Sequence, residues 1–296
     1  MIMKKKAKSV IISSDNAGQR LDNFLISHIK NVPRKHIYKL IRTGQVRINS
    51  SRSKPSSKLN INDKVRIPPI SSTESLKPTI NKDQIKIMKE KLIYEDKNII
   101  VFNKPSSFSV HSGTNTGYGL IDIIRKFRKD FERLDLLHRL DKETSGCIII
   151  TKSYESLKIF QKKIQNNEIN KKYLCLVKGL WNAKIKKSTH KLTRNSKTVQ
   201  AETHFKVIKY YKNSTLLEAE LITGRYHQIR KHCEMLNHPI IGDKKYGDRA
   251  LNRLYKERGL TRIFLHAYLI KFYLNKDVIV ECPLPSELES FLINHK

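Results

Sequence analysis

Cysteine is scarce. The 296 residues hold four, Cys147, Cys175, Cys233 and Cys282, with no C-x-x-C pair. Their spacing fits none of the common thiolate zinc motifs and argues against a disulfide framework in a chain this long. Long apolar runs are also missing. None reaches the roughly 18 residues that cross a bilayer, which excludes an integral membrane protein. Lys4, Lys5, Lys6 and Lys8 precede only the short apolar run Val10–Ile12, too little for a signal-peptide core. A reducing, cytoplasmic setting is expected. No G-x-S-x-G elbow is present, so a serine hydrolase is disfavoured. His227 and His232 are five apart rather than the four that one helical face needs to hold zinc, so no metal is expected.

Acidic residues are few. Aspartate plus glutamate number 27 against 59 lysines and arginines, a net charge of +32. Such an excess favours polyanionic partners, nucleic acid before an anionic membrane surface. No stretch joins a strong apolar face to a basic one over several turns, which disfavours the membrane surface. Lysine, asparagine and isoleucine are abundant, so compositional bias accounts for part of the charge. With 39% hydrophobic residues the chain folds, and its length suits about two domains.

The charge is uneven. Residues 1–70 carry 16 basic and 3 acidic side chains, a net +13. Pro68-Pro69, then Ser71, Ser72, Thr73, Ser75 and Pro78, read as a linker. The expected organisation is residues 1–70 as a small α/β domain, 71–85 as a linker, and 86–296 as a larger domain. In the first segment, Leu21, Phe24, Leu25 and Ile29 fall at helical spacing over Arg20–Lys30. Pro33 opens a second helix with Ile37, Tyr38, Leu40 and Ile41, and Gly44 ends it. Short strands follow around Val46–Ile48 and Val65–Ile67. Arg34, Lys35, Lys39, Arg42 and Arg47 gather on and just after the second helix, where they suit a phosphate backbone.

The larger segment alternates strands with helices. Strands are expected at Ile99–Phe102, Ile148–Thr151, Tyr173–Val177, Thr203–Tyr211, Thr215–Leu221, Phe264–Leu274 and Val278–Glu281. Helices are expected at Gly119–Phe127, after a Ser153 cap, and at Tyr226–Leu236. The class is α+β, with a mixed, mostly antiparallel sheet.

Three polar runs stand out. His138-Arg139-Leu140-Asp141-Lys142-Glu143-Thr144-Ser145-Gly146 precedes an apolar strand. Its charges need mutual pairing or a ligand if buried, or form an exposed turn. Thr223–His232 holds Arg225 and Arg230, which suit a carboxylate or phosphates, or else line an exposed basic helix. Lys171–Gly179 alternates so that Tyr173, Cys175 and Val177 share one face. Tyr173 is then a core aromatic or a stacking surface for a base, core being the better reading of the pattern alone.

Gly18–Leu25 and Tyr38–Asn49 together resemble the RNA-binding domain of ribosomal protein S4. The three polar runs, in order, resemble the pseudouridine synthases, in the branch that modifies large-subunit ribosomal RNA. Tyr94-Glu95-Asp96, Asn103-Lys104-Pro105-Ser106, Leu236–Ile240, Gly242-Asp243, Tyr246-Gly247-Asp248 and Phe264–Ala267 extend the likeness to practically the whole chain. Two sibling branches share the two-domain plan; Val32-Pro33-Arg34 and Asp63–Pro69 favour one of them. The resemblance implies conversion of specific uridines to pseudouridine in 23S ribosomal RNA by a monomer, with no cofactor. It makes Asp141 the catalytic aspartate and Tyr173 the surface under the target base. Arg230 is its implied partner, with Arg225 the second candidate, and Arg139 helps open the RNA. A non-catalytic RNA-binding ribosome-assembly factor is the alternative. The sequence departs from the family in three places. Ser107 stands where glycine is usual, Tyr226 replaces a small residue, and Leu192–Ala201, expected as an RNA-facing loop, is short.

Overall fold

The computed structural model describes residues 7–29, 32–70, 80–111, 118–194 and 197–295. The chain divides into two compact units, Met1–Thr79 and Ile80–Lys296.

In the first unit, β1 (Lys8–Ile11), β2 (Arg47–Ile48) and β3 (Lys64–Ile67) form an antiparallel sheet in the order β1-β3-β2. Helices α1 (Leu21–His28) and α2 (Arg34–Arg42) turn Leu21, Phe24, Leu25, Ile37, Leu40 and Ile41 into one core with Val46, Leu59 and Val65. Pro33 is the N-cap of α2, and Gly44 ends it at φ +69°, a conformation glycine adopts freely. Tyr38, expected inside, is 42% exposed. Its hydroxyl donates to Asp22 at 2.9 Å, so the phenol edge stays at the surface.

The expected linker is described only from residue 80. There the chain is soon helical: α3 (Lys82–Glu90) starts from an Asn81–Gln84 capping box. This helix holds little apolar surface, which is why periodicity does not announce it.

Among the described residues, the second unit is built on a ten-stranded sheet. Its strands are β4 (Leu92–Glu95), β5 (Ile99–Lys104), β6 (Asp135–Leu136), β7 (Ser145–Thr151), β8 (Ile169–Lys178), β9 (Lys187–Arg194), β10 (Lys197–Tyr211), β11 (Ser214–Leu221), β12 (Leu265–Tyr273) and β13 (Asp277–Glu281). The order is β4-β5-β7-β12-β8-β11-β10-β9, with β6 beside β7 and β13 beside β12. Among the described pairings β7–β12 is parallel and the others are antiparallel. The sheet is therefore mixed and mostly antiparallel.

Both faces of β5 and β7 are covered, so they read as unbroken apolar runs. Ile100, Phe102, Ile148 and Ile150 face one core with α4 (Leu120–Phe127) and α6 (Gln228–Met235). Ile99, Val101, Cys147 and Ile149 face another with α5 (Tyr154–Gln165). Ser153 caps α5 by accepting the Ser156 N–H at 3.0 Å. Helices α7 (Arg249–Glu257) and α8 (Ser286–Asn294) close a further cluster around Leu176, Tyr255 and Phe264.

Two expectations about the larger unit are corrected. Leu192–Ala201 is not a loop: Leu192 pairs with Val199 and Thr193 with Thr198 in the β9–β10 ladder. These β-branched and apolar residues fit a pleated strand, and only residues 195–196 between the strands lie outside the described ones. The helix expected from Tyr226 starts at Gln228, because His227 takes a left-handed conformation at φ +54°.

Candidate active site

The turn 137–144 leads from β6 into β7. Leu140 is buried in the core, which leaves its neighbours Arg139 and Asp141 lining a cavity of about 590 Å³. His138 fastens the start of this turn, accepting the Ile149 N–H through Nε2 at 3.1 Å. Burial pushes its imidazole down to about 3, so it stays neutral.

Residues 104–107 latch this turn. Ser107 N–H donates to the Lys142 carbonyl at 2.9 Å, and Ser106 Oγ donates to the Glu143 carbonyl at 3.1 Å. Lys104 is wholly buried. Its ammonium donates to the carbonyls of Pro105, Phe108 and Lys142 at 2.9, 3.1 and 3.2 Å. Ser107 sits at φ +73°. The turn thus keeps a conformation suited to glycine although serine occupies it. On the far side Arg262 Nη2 donates to the Glu143 carbonyl at 3.1 Å and Ser145 Oγ at 2.8 Å.

Asp141 is 21% exposed and faces α6. Arg230 Nη1 lies 3.3 Å from Asp141 Oδ2, and His227 Nε2 lies 3.6 Å from Oδ1. The fork of Arg230 points elsewhere: Nε and Nη2 each donate to Asp243 at 2.7 Å. Burial opposes both charges, yet the pairing holds the Arg230 guanidinium above its ordinary range and Asp243 below its own. Asp243 also accepts the backbone N–H groups of Lys245 and Tyr246 at 2.8 and 3.1 Å. Burial pushes the His227 imidazole down to about 4, against the pull of Asp141. Its Nδ1 meets the Tyr246 hydroxyl at 3.1 Å, and its ring stacks on Tyr226 at 3.6 Å.

Tyr173 lines the same cavity from β8. It is 6% exposed, part of the core cluster and part of the cavity wall at once. Burial, with the nearby Asp141 charge, raises its phenol well above the usual range, so the ring is neutral. A second cavity of about 550 Å³, lined by Ser109, His111 and Lys142, shares Arg139, Asp141, Tyr226, His227 and Arg230 with the first.

The structure thus brings Asp141, Tyr173, Arg230 and Arg139 together. Arg225 is exposed on the rim, its Nε on the Gln200 carbonyl at 3.4 Å; of the two arginines, Arg230 meets Asp141. Arg34, Lys35, Lys39 and Arg42 lie exposed on α2, and Arg47 is exposed with its guanidinium on the Gly44 and Ser50 carbonyls. Asp243 and Tyr246 fall within the motifs and His227 within the second polar run, but the sequence gives none of the three a role in the site. The available signal is an acid set between Pro239–Ile241 and a Tyr-Gly turn, a place where a charge is buried only with a partner.

Among the described residues no helix is long and apolar enough to cross a membrane. The RNA pseudouridylate synthase family profile matches residues 98–235, and the S4 domain profile residues 19–65. The ribosomal large subunit pseudouridine synthase C of Haemophilus influenzae is 38% identical over 92% of this chain and 88% of its own length. The protein of that name from Escherichia coli is also 38% identical, over 90% of this chain and 88% of its own length. In fold, the human RNA pseudouridylate synthase domain containing 4 is similar with a TM-score of 0.59 at 24% identity, over 71% of this chain and 94% of that one.

Proposed function

This chain belongs to the RNA pseudouridylate synthase family, and from that footing we propose that it isomerises uridines of large-subunit ribosomal RNA with Asp141 as its catalytic carboxylate. The observation that carries the assignment of Asp141 is its place at the wall of a cavity beside a buried, neutral tyrosine ring and one guanidinium N–H.

The reaction breaks the bond from ribose C1′ to N1, turns the uracil, and joins C1′ to C5. One proton leaves C5 and one arrives at N1. Nothing is oxidised, so no cofactor is required. Positive charge develops at C1′ as the first bond breaks, and a carboxylate beside that carbon stabilises it, as in glycoside hydrolysis. Asp141 supplies that carboxylate, and Arg230 orients it with a charge-assisted hydrogen bond.

The target uridine leaves its stack to reach the cavity. Tyr173 offers a flat apolar surface in return, and such stacking is worth about 1–3 kcal/mol per base. Arg139, exposed where the two cavities meet, contacts the opened RNA, and Arg225 adds charge at the rim. The S4 unit binds RNA through Arg34, Lys35, Lys39, Arg42 and Arg47. Residues 1–70 act as an anchor joined by 71–85 to the catalytic domain 86–296, and the protein works as a cytoplasmic monomer.

The test is Asp141→Asn on ribosomal RNA labelled with tritium at uracil C5. We expect tritium release to stop while RNA binding persists. Turnover in this variant would overturn the assignment.

A further inference from the structure

We infer that Asp243 is a positioning residue that keeps the fork of Arg230 away from Asp141, so that the carboxylate is held at one oxygen and open at the other. The inference rests on the reading of Asp141 as the catalytic group.

A guanidinium has two edges that can grip a carboxylate with paired hydrogen bonds. Left alone beside Asp141, Arg230 would be expected to use one of them, since bidentate pairing is the stronger geometry. It does not. Nε and Nη2 are both committed to Asp243 at 2.7 Å, and Nη1 alone remains for Asp141, at 3.3 Å on Oδ2. Among the described residues, Oδ1 pairs with His227 Nε2 at 3.6 Å, beyond hydrogen-bond length. One oxygen of Asp141 is therefore anchored and the other is held by no bond of that length, on a residue that lines both cavities.

Asp243 is built to hold that division. Its side chain is fully buried. The Lys245 and Tyr246 N–H groups reach Oδ1 at 2.8 and 3.1 Å, and its own carbonyl accepts from Gly247 N–H and Asn252 Nδ2 at 3.0 and 2.8 Å. The ring of Tyr246 lies 5.2 Å from the Arg230 guanidinium. Backbone, carboxylate and aromatic ring thus fix the arginine before any substrate arrives, which is what a preorganised site requires. Arg230 meets two carboxylates with one charge, and its closer partner is the one the cavity does not use.

The experiment measures single-turnover tritium release and RNA dissociation constants for four variants, using transcribed large-subunit ribosomal RNA labelled at uracil C5. In Asp243→Asn, Arg230 is free to fork both oxygens of Asp141. The rate should fall about 100-fold, the scale of a misplaced reacting group, while the dissociation constant moves less than about threefold. In Arg230→Lys, the ammonium stays with buried Asp243 and Asp141 loses its anchor, so the rate falls again with affinity kept. In the double variant Arg230→Lys/Asp243→Asn, the lysine gives Asp141 a one-point bond. Its rate should exceed that of Asp243→Asn by at least about tenfold, a non-additivity that only coupled residues show. A double variant no faster than Asp243→Asn overturns the inference, because a purely structural Asp243 predicts further loss. If Asp243→Asn does not fold, Arg230→Lys decides: it retains the buried charge pair, and a wild-type rate there overturns the inference. Asp141→Asn, the fourth variant, separates the two readings. Turnover retained in it sinks Asp141 itself, whereas an inactive Asp141→Asn beside a wild-type rate in Asp243→Asn sinks only the role of Asp243.

Discussion

Gly146→Ala should cost the larger unit about 3–5 kcal/mol, a fifth or more of the roughly 5–15 kcal/mol that holds a domain together. Gly146 is the second residue of β7, where the strand runs parallel to β12, opposite Ala267. Its φ is +114°, outside the regions open to a residue with a Cβ, and holding one there costs of order 1–3 kcal/mol. A Cβ at this position would lie 2.1 Å from the Ala267 carbonyl oxygen and 2.6 Å from the Ala267 nitrogen. Those are backbone atoms and cannot swing aside. The strands must part, and the two-residue pairing of His266 with Ser145 and Ala267 with Gly146 loses hydrogen bonds worth about 1 kcal/mol each. The two contributions give the quoted range. Equilibrium urea unfolding, followed through the transition of the larger unit, measures it as a shift in midpoint at unchanged slope. The turn bearing Asp141 ends at this strand, so turnover in the surviving native fraction should fall more than RNA affinity. A loss below about 1 kcal/mol would show that the β7–β12 junction is softer than the atomic distances say, and the reasoning fails.

Ser107→Gly is expected to stabilise the protein by up to about 1 kcal/mol, because it relieves a left-handed serine. Thermal unfolding checks this, and a lowered melting temperature would mean that the serine side chain holds the turn. Replacing Arg34, Lys35, Lys39 and Arg42 together with neutral residues should weaken RNA binding. The salt dependence should flatten by about 0.7–0.9 in log–log slope for each RNA phosphate these side chains neutralise. Titrations at several salt concentrations measure it, and an unchanged slope would place the RNA anchor elsewhere.

The strands with unbroken apolar runs are legible because both faces of β5 and β7 are covered, and the S4-type unit is legible because its helix spacing matches its core. Helices α3 and α7 leave no such trace. In each a single residue, Met88 or Tyr255, is buried, so there is little apolar stripe to read. Helix α6 begins two residues later than its spacing predicts, since nothing local announces that His227 will turn left-handed. The candidate site is legible in its motifs and opaque in its pairings. Asp141 and Arg230 stand 89 residues apart, and periodicity says nothing about which of two arginines crosses that gap. Arg225 and Arg230 are equally charged in the sequence; only burial of the α6 face distinguishes them. The pairing of Arg230 with Asp243 is hidden for a related reason. A lone acid in a turn is usually solvated, and the sequence does not show that this turn is sealed.

Lys104 separates a structural lysine from a chemical one by its response to pH. Its ammonium lies close enough to Asp141 to feel that charge, and a buried lysine beside a catalytic carboxylate invites a role in proton transfer. The geometry assigns it otherwise, for its three donor positions are all spent on the carbonyls of Pro105, Phe108 and Lys142. Burial first, and the Arg262 charge second, lower it from 10.5 to about 7. The sign of the consequence is fixed by linkage. Between about pH 7 and 10.5 the unfolded chain keeps this proton while the folded chain gives it up, so stability rises with pH across that window. The full span is worth up to about 5 kcal/mol at 1.36 kcal/mol per pH unit. Lys104→Met removes the titrating group and leaves three carbonyls short of a donor, a penalty that does not vary with pH. The difference in unfolding free energy, wild type minus variant, should therefore climb from pH 7 to 10.5 and level off beyond it. Other titrating groups cancel in that difference. A flat difference curve would mean that Lys104 keeps its proton on folding, and the latch beneath Asp141 would then be a charged one throughout the working range.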